Sequence, residues 1–323
     1  MKHQIDLLFA TRNGARTLPA MLEALAAQLP TARPLRILAV ENGSADATRQ
    51  ILTDWAHRLP IEILQGPGTG KVPALAGAAT ALEGELVVLT DDDIIPAPGW
   101  LSRLEKAADL HPEAAIFGGA IEPYLIDPPG GWYDASVDYS EDLFARTTAS
   151  AGPVCGADSI FGPNMMLRLC EAKRGLTLPM TLGPSPNMKG GKRVFPLGDE
   201  SEMLSQLEAA GAQSIFVPEA KVKHMVRGFQ TDLKFMLQRA QNHGRGVALR
   251  VLGDSPSLTQ RARIVASSLV KAVWIAPRCA LADKSVPERQ SFNSFYGFNW
   301  HIGAAKGALN GPFAPSRKRD ATG

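Results

Sequence analysis

Short apolar runs recur along the first third of the chain, with helical-period segments between them. Ile5 to Ala10, Arg36 to Glu41, Ile61 to Leu64 and Leu86 to Thr90 read as strands, and Leu86, Val87, Val88, Leu89 is apolar enough to be buried on both faces. Thr17 to Leu29 and Asp46 to Leu59 place apolar residues at helical spacing, and Gly70 to Leu82 is an alanine-rich helix candidate. Strand and helix alternating from residue 5 to about residue 120 predict an α/β fold, with a mostly parallel central sheet flanked by helices and joined by right-handed crossovers.

Beyond that point the pattern changes. Ala115 to Ile121 reads as another strand. Pro123 to Gly131 and Trp132 to Asp142 form a Pro/Gly-rich, then acidic and aromatic excursion suited to a substrate side. Phe161 to Arg168 resumes order, and Gly175 to Lys192 reads as a loop of the kind that closes as a lid. Glu200 to Ala210 is a helix stopped by Gly211, Ser214 to Val217 and Lys221 to Val226 are two short strands, and from Gly228 onward the pattern is helical. The expected organisation is one domain over 1–230, in halves of about 1–120 and about 121–230, followed by a helical extension over 231–323.

Composition narrows the class. Apolar residues at 45%, charged residues at 20% and a net charge of +2 describe an ordinary globule, with no basic excess that calls for nucleic acid. Cys155, Cys170 and Cys279 are too scattered for a disulfide framework or a structural zinc, which fits a reducing, cytoplasmic setting. Only four residues precede the first strand, so no signal sequence is expected. The late apolar stretch Ile264 to Pro277 is interrupted by Lys271 and falls short of the ~20 residues of a membrane span. With Arg261, Arg263 and the tail Arg317, Lys318, Arg319, it reads either as a peripheral helix at the inner face of a membrane or as an amphipathic core helix. Gly303 and Gly307 fit a close helix approach, in a homodimer or within the chain.

The candidate chemistry gathers at strand ends. Asp91, Asp92 and Asp93 follow the fourth strand directly, where open α/β sheets bind ligands, and mutually repelling carboxylates suit a divalent cation that carries a phosphate. Thr11, Arg12, Asn13 follow the first strand, and Glu41, Asn42, Gly43, Ser44, Ala45, Asp46 follow the second. Glu41 can accept from the imide N–H of a uracil, and Thr11 or Asn13 can reach base or ribose; plain turn chemistry with Asp46 as a helix cap is the competing reading. Gly66 to Lys71 resembles a P-loop, but Gln65 stands where its first glycine belongs and Val72 follows the lysine. Lys71 at a helix start still suits a diphosphate. Asp199 reads as a helix cap, Glu200 as a base for an acceptor hydroxyl, and His224 as either a structural histidine or a metal ligand.

Taken in order, these residues resemble the family-2 glycosyltransferases, which are inverting and have the GT-A fold. The matching segments are Thr11-Arg12-Asn13, Glu41 to Thr48, Lys71 to Ala78 without the family's usual asparagine, Asp91-Asp92-Asp93, Gly162-Pro163-Asn164-Met165, Gly198-Asp199-Glu200-Ser201-Glu202-Met203 with its two acids exchanged, His224, and Gln238 to Gly246. The resemblance implies transfer of a sugar from a nucleotide-sugar donor, a UDP-sugar, to a saccharide or lipid-linked acceptor in polysaccharide or glycoconjugate synthesis. It implies Mn2+ or Mg2+ held by Asp93, Asp91 and His224, and donor contacts from Thr11, Asn13, Glu41, Lys71, Asp91 and Asp92. Glu200 takes the place of the base, with Asp199 as competitor, and Asn164 and Trp132 fall on the acceptor side. A nucleotidyltransferase remains as an alternative without its usual glycine-rich, arginine-containing first loop. A catalytically silent sugar-nucleotide-binding protein remains through the exchanged acids and the missing asparagine.

Overall fold

The first strand, β1 (Lys2–Thr11), alternates Ile5, Leu7 and Phe9 with Leu8, and all four are buried. Apolar side chains on both faces require cover on both sides, as parallel sheets have. In the computed structural model, which describes residues 2–68, 70–130, 133, 144–147, 154–156, 159–169, 188–189, 192–193, 199–253, 256–281 and 289–310, that cover comes from helices of the same chain. On one face α1 (Leu18–Ala26) buries Leu18, Met21, Leu22 and Leu25, a spacing of one helical stripe, against Ile5, Leu7, Phe9 and Ile37. On the other, α3 (Lys71–Ala78) contributes Val72, Ala74, Leu75 and Ala78, and a later helix, α5 (Asp199–Ala209), contributes Met203, Leu204 and Leu207. Each such large side chain removed from water stabilises the fold by roughly 1.5–3 kcal/mol.

β2 (Leu35–Glu41), β3 (Ile61–Gln65) and β4 (Gly84–Leu89) complete the parallel part, with α2 (Thr48–Trp55) between β2 and β3. After β4 the chain forms β5 (Ile94–Pro96), α4 (Trp100–Leu110), β6 (Ala114–Leu125), β7 (Val154–Cys155) and β8 (Met165–Arg168). A two-stranded pair follows, β9 (Met188–Lys189) with β10 (Lys192–Arg193), and then the long β11 (Gln213–Val226). The main sheet runs β3-β2-β1-β4-β8-β6-β11-β5, with β7 also on β11. β8 and β5 pair antiparallel to their neighbours, so the sheet is mixed beyond β4.

Two expectations are corrected. The segments 214–217 and 221–226 are one strand, whose register against β6 shifts between Val217 and Val222, so that a bulge was read as a break. The late apolar stretch lies in a 24-residue helix, α7 (Leu258–Leu281), which by length and composition is long and apolar enough to cross a membrane. Arg261 and Arg263 had hidden its true length from a reading confined to 264–277.

The chain divides into a unit of residues 1–180 and 199–235 and a second of residues 181–198 and 236–323. The second unit contains most of α6 (Leu233–Leu252), with α7 and α8 (Arg289–Asn310). Gly303 and Gly244 are used inside it. A Cβ on Gly303 would stand 2.0 Å from the Gln241 carbonyl, and one on Gly244 2.0 Å from that of Trp300, so α6 and α8 touch backbone to backbone. Gly307 likewise faces the Arg245 backbone.

Candidate active site

β1, β2, β3 and β4 all end at one edge of the sheet, with Thr11 in register with Glu41 and Glu41 with Gln65. The Thr11 hydroxyl donates to Asp92 Oδ2 at 2.5 Å, which joins the first turn to the acidic triplet. Gly14 makes this possible, because a Cβ there would lie 2.4 Å from Thr11 Oγ1 and 2.7 Å from Asp92 Oδ2. Asn13, at φ 57°, donates its backbone N–H to Ser44 Oγ and accepts the Ala45 N–H on Oδ1, so the first two turns form one wall. Glu41 is nearly buried and accepts the Ser44 N–H at 2.6 Å. Asp46 accepts the Thr48 N–H from just ahead of α2, whose N-cap is Ala47, and also accepts from the Ala15 N–H.

Asn42 sets the next turn. Its Oδ1 accepts the Gly68 N–H at 2.7 Å and its amide donates to the Gly70 carbonyl at 2.8 Å, while Gly70 takes a φ of 122° that a side chain resists. Lys71 therefore starts α3 beside the acidic triplet. Its ammonium pairs with Asp91 Oδ1 and stands 3.1 Å from Glu200 Oε1. Glu200 itself lies against Gly162, where a Cβ would come within 2.4 Å of Oε1.

Asp93 meets His224 through the sheet. β5 pairs antiparallel with β11 so that Ile94 faces His224, and the Met225 N–H donates to the Asp93 carbonyl at 2.7 Å. His224 Nδ1 bonds to the Phe144 carbonyl at 2.9 Å, an acceptor only, so Nδ1 carries the proton. Nε2 is left facing Asp93 Oδ1 at 3.4 Å. One ligand atom each from Asp91, Asp93 and His224 lies within 4.8 Å of the others.

Burial and crowding set the charges here. Burial and the neighbouring Asp93 push the Asp92 carboxyl up to about 7, against the Thr11 hydrogen bond. Burial also raises Asp91, opposed by the Lys71 ammonium. Asp93 is pushed up by burial too, yet His224, Lys71 and Arg227 more than offset this and hold it below the usual carboxylate range. For His224 burial lowers the pKa, but Asp93 and the Phe144 carbonyl raise it above its ordinary value.

Thr11, Asn13, Glu41, Lys71, Asp91, Asp92, Asp93, Glu200 and His224 thus gather at one sheet edge. Asn164 is fully buried: it accepts the Trp100 indole N–H at 2.8 Å and donates to the Ala120 and Ala220 carbonyls. Its amide ties β6 and β11 together at the start of β8. Trp132, the Asp199 side chain and most of 175–192 lie outside the described residues. Sequence reasoning missed Arg227, whose charge acts on Asp92 and Asp93, and the positioning roles of Gly14 and Asn42. A basic residue directly after the last strand was the available signal for Arg227.

Two carboxylates and an imidazole nitrogen are hard or borderline ligands that suit a divalent cation, and Asp93 Oδ1 is a buried oxygen without a hydrogen-bond partner among the described residues. The curled sheet and its acid-lined carboxyl edge are those of a GT-A glycosyltransferase. Residues 7–156, just under half of the chain, match the family model "Glycosyl transferase family 2", so this part of the chain is similar to that family. An N-acetylglucosaminyl-diphospho-decaprenol L-rhamnosyltransferase of Mycobacterium tuberculosis is 26% identical over 213 residues, covering 61% of this chain and 68% of that protein. A mannosyltransferase of Pyrobaculum calidifontis, solved with GDP-Man and Mn2+, shares the fold at a TM-score of 0.58 and 18% identity, covering 96% of this chain and 88% of that one. S. aureus TarS 1-349 in complex with UDP has a TM-score of 0.50 and 15% identity, covering 94% of this chain and 90% of that one.

Proposed function

We propose that this glycosyltransferase moves a sugar, with inversion, from a UDP-sugar to a hydroxyl of a polyprenyl-linked saccharide. The observation that carries the reading is the bridge from Asp91 through Lys71 to Glu200. It puts a carboxylate suited to act as base one ammonium away from the acids suited to the donor phosphates. Thr11, Asn13 and Glu41 line the turn walls where base and ribose would lie, with Asp91 and Asp92 on the ribose side. The named relative is a transferase named for a decaprenol-linked acceptor, which supports that acceptor class; of the fold neighbours one was solved with UDP and another with GDP-Man, so the uridine donor rests on the family resemblance.

Asp91, Asp93 and His224 would hold Mn2+ or Mg2+, which when bound supplies positive charge for the departing diphosphate. Glu200 takes the proton of the acceptor hydroxyl as that oxygen forms its bond to the anomeric carbon, and the bond from that carbon to the diphosphate oxygen breaks on the opposite side. Lys71 leaves its carboxylate partners for the diphosphate and uncovers Glu200 in the same movement. Holding acceptor and donor in line is worth ~7–11 kcal/mol of barrier. A lipid-linked acceptor would bring the chain to the inner face of a membrane.

The test is a panel of sugar nucleotides with and without Mn2+, read by release of nucleoside diphosphate and by the anomeric configuration of the product. Retained configuration, or pyrophosphate as product, would overturn the proposal.

A further inference from the structure

The modest net charge of the chain conceals a division. Residues 236–323 contain thirteen Lys and Arg against four Asp and Glu, whereas residues 1–235 contain twenty-one against twenty-eight. No acidic residue occurs in α6 from residue 236, in α7 or in α8.

Successive 100° steps divide α7 into three faces. Ser268 and Ala272 are buried within the unit, and Ile264, Val265, Ile275 and Cys279 are half-buried along the same side. The opposite side carries Leu269, Val270, Val273, Trp274 and Leu281, with Val270, Val273 and Trp274 about 70% exposed (69%, 71% and 67%). Exposed Lys271 and Arg278 run along one border of that apolar stripe, exposed Arg263 stands at its N-terminal end in line with Val270 and Leu281, and the Arg278 guanidinium stacks 4.1 Å from the Trp274 ring. An apolar stripe of this size on an exposed helix marks an interaction surface. Its basic border and the absence of any carboxylate on the helix select an anionic partner.

We infer that α7 lies in the plane of an anionic lipid surface, with Val270, Val273 and Trp274 dipping among the acyl chains and Arg263, Lys271 and Arg278 at the headgroups. The helix has the length to cross a bilayer, but crossing would carry Lys271, at its middle, into hydrocarbon, and its buried side already packs on its own chain. Lying flat satisfies both faces at once, and a tryptophan ring at headgroup depth is a favourable placement. The inference goes beyond the transferase reading and does not depend on it.

The full chain should co-sediment with vesicles of phosphatidylcholine containing phosphatidylglycerol, and at least tenfold less with phosphatidylcholine alone. V270D/V273D should lose binding by at least tenfold. R263Q/R278Q should lose the preference for phosphatidylglycerol, and W274F should lose part of the tryptophan quenching by brominated lipid. All these positions are exposed, so unchanged circular dichroism would certify the variants as folded. Four results would overturn the inference: no binding by the wild type, equal binding to both vesicles, undiminished binding of folded V270D/V273D, or binding that resists alkaline carbonate as a spanning helix does. A wild-type dimer dispersed by V273D would also overturn it, by assigning the face to a second copy. None of these readouts involves sugar transfer, so failure here leaves the proposed reaction standing, and the reverse.

Discussion

Lys71 Nζ lies 3.1 Å from Glu200 Oε1 while also paired with Asp91, so one ammonium neutralises a carboxylate from the strand-end triplet and another from the start of α5. Removal of the Glu200 charge should therefore separate chemistry from binding. Glu200→Gln is expected to lower kcat by ~10²–10⁴ with donor affinity preserved, read by calorimetry beside single-turnover assays. Lys71→Met should weaken the nucleoside diphosphate as well. If Asp199→Asn is the inactive variant and Glu200→Gln is active, the base is Asp199.

Metal affinity should depend on pH through His224. Coordination needs Nε2 without its proton, and Asp93 raises the pKa of that imidazole despite its burial. Protons then compete increasingly as pH falls, so Mn2+ affinity should decrease from about pH 8 to about pH 6, and Asp92 gaining its proton near 7 works in the same direction. His224→Gln should bind less metal with a flatter pH response, and Asp93→Ala should bind none while remaining folded. Calorimetric titration across that range decides it; a constant affinity would remove His224 from the ligand set.

Gly162 should prove necessary for the position of the base. A methyl there would come 2.4 Å from Glu200 Oε1, the far end of a flexible side chain, so the carboxylate and not the backbone would yield. Gly162→Ala is expected to lower kcat by roughly tenfold to a hundredfold with little change in donor KM. Gly77→Ala is the matched control: that residue sits exposed in α3 with nothing near its missing Cβ, and the change should stabilise by about 0.5–1 kcal/mol without affecting turnover.

Asp6 should make the fold acid-sensitive. Burial pushes its pKa up, but Arg36, the Gly84 and Glu83 N–H groups and Gln4 together leave it lowered. A depressed carboxylate contributes stability that is present above its unfolded value of 3.8 and lost as pH falls through the lower folded value. Asp6→Asn should destabilise by about 3 kcal/mol near neutrality, since Arg36 loses its buried partner. In urea unfolding, the gap between variant and wild type should shrink toward about pH 3; a gap independent of pH would mean that Asp6 acts by shape alone.

Local pattern carried much of this protein. The strands β1 to β4, the helices between them and the triplet at the tip of β4 were legible because a parallel sheet buries both faces and so writes continuous apolar runs into the sequence. The turns at Thr11 and Glu41 shared an edge with the triplet for the same reason, since parallel strands all end on one side. Less legible was the role of Asn164, which stands in a motif but spends its amide on three buried partners. The undivided β11 was missed because the bulge between Val217 and Val222 interrupts the two-residue period.

By itself, then, the amino-acid order determined the elements, the sheet edge and the kinds of chemical group gathered there, because these follow from periodicity over a few residues. Tertiary structure alone decided which groups meet. His224 reaches Asp93 only because β5 turns back antiparallel onto β11, and Lys71 reaches Glu200 across 129 positions of sequence only because α3 and α5 cover the same sheet face. Such pairings are set by long-range strand register and helix packing, whose energies are summed over the whole core and leave no mark in any short window of sequence.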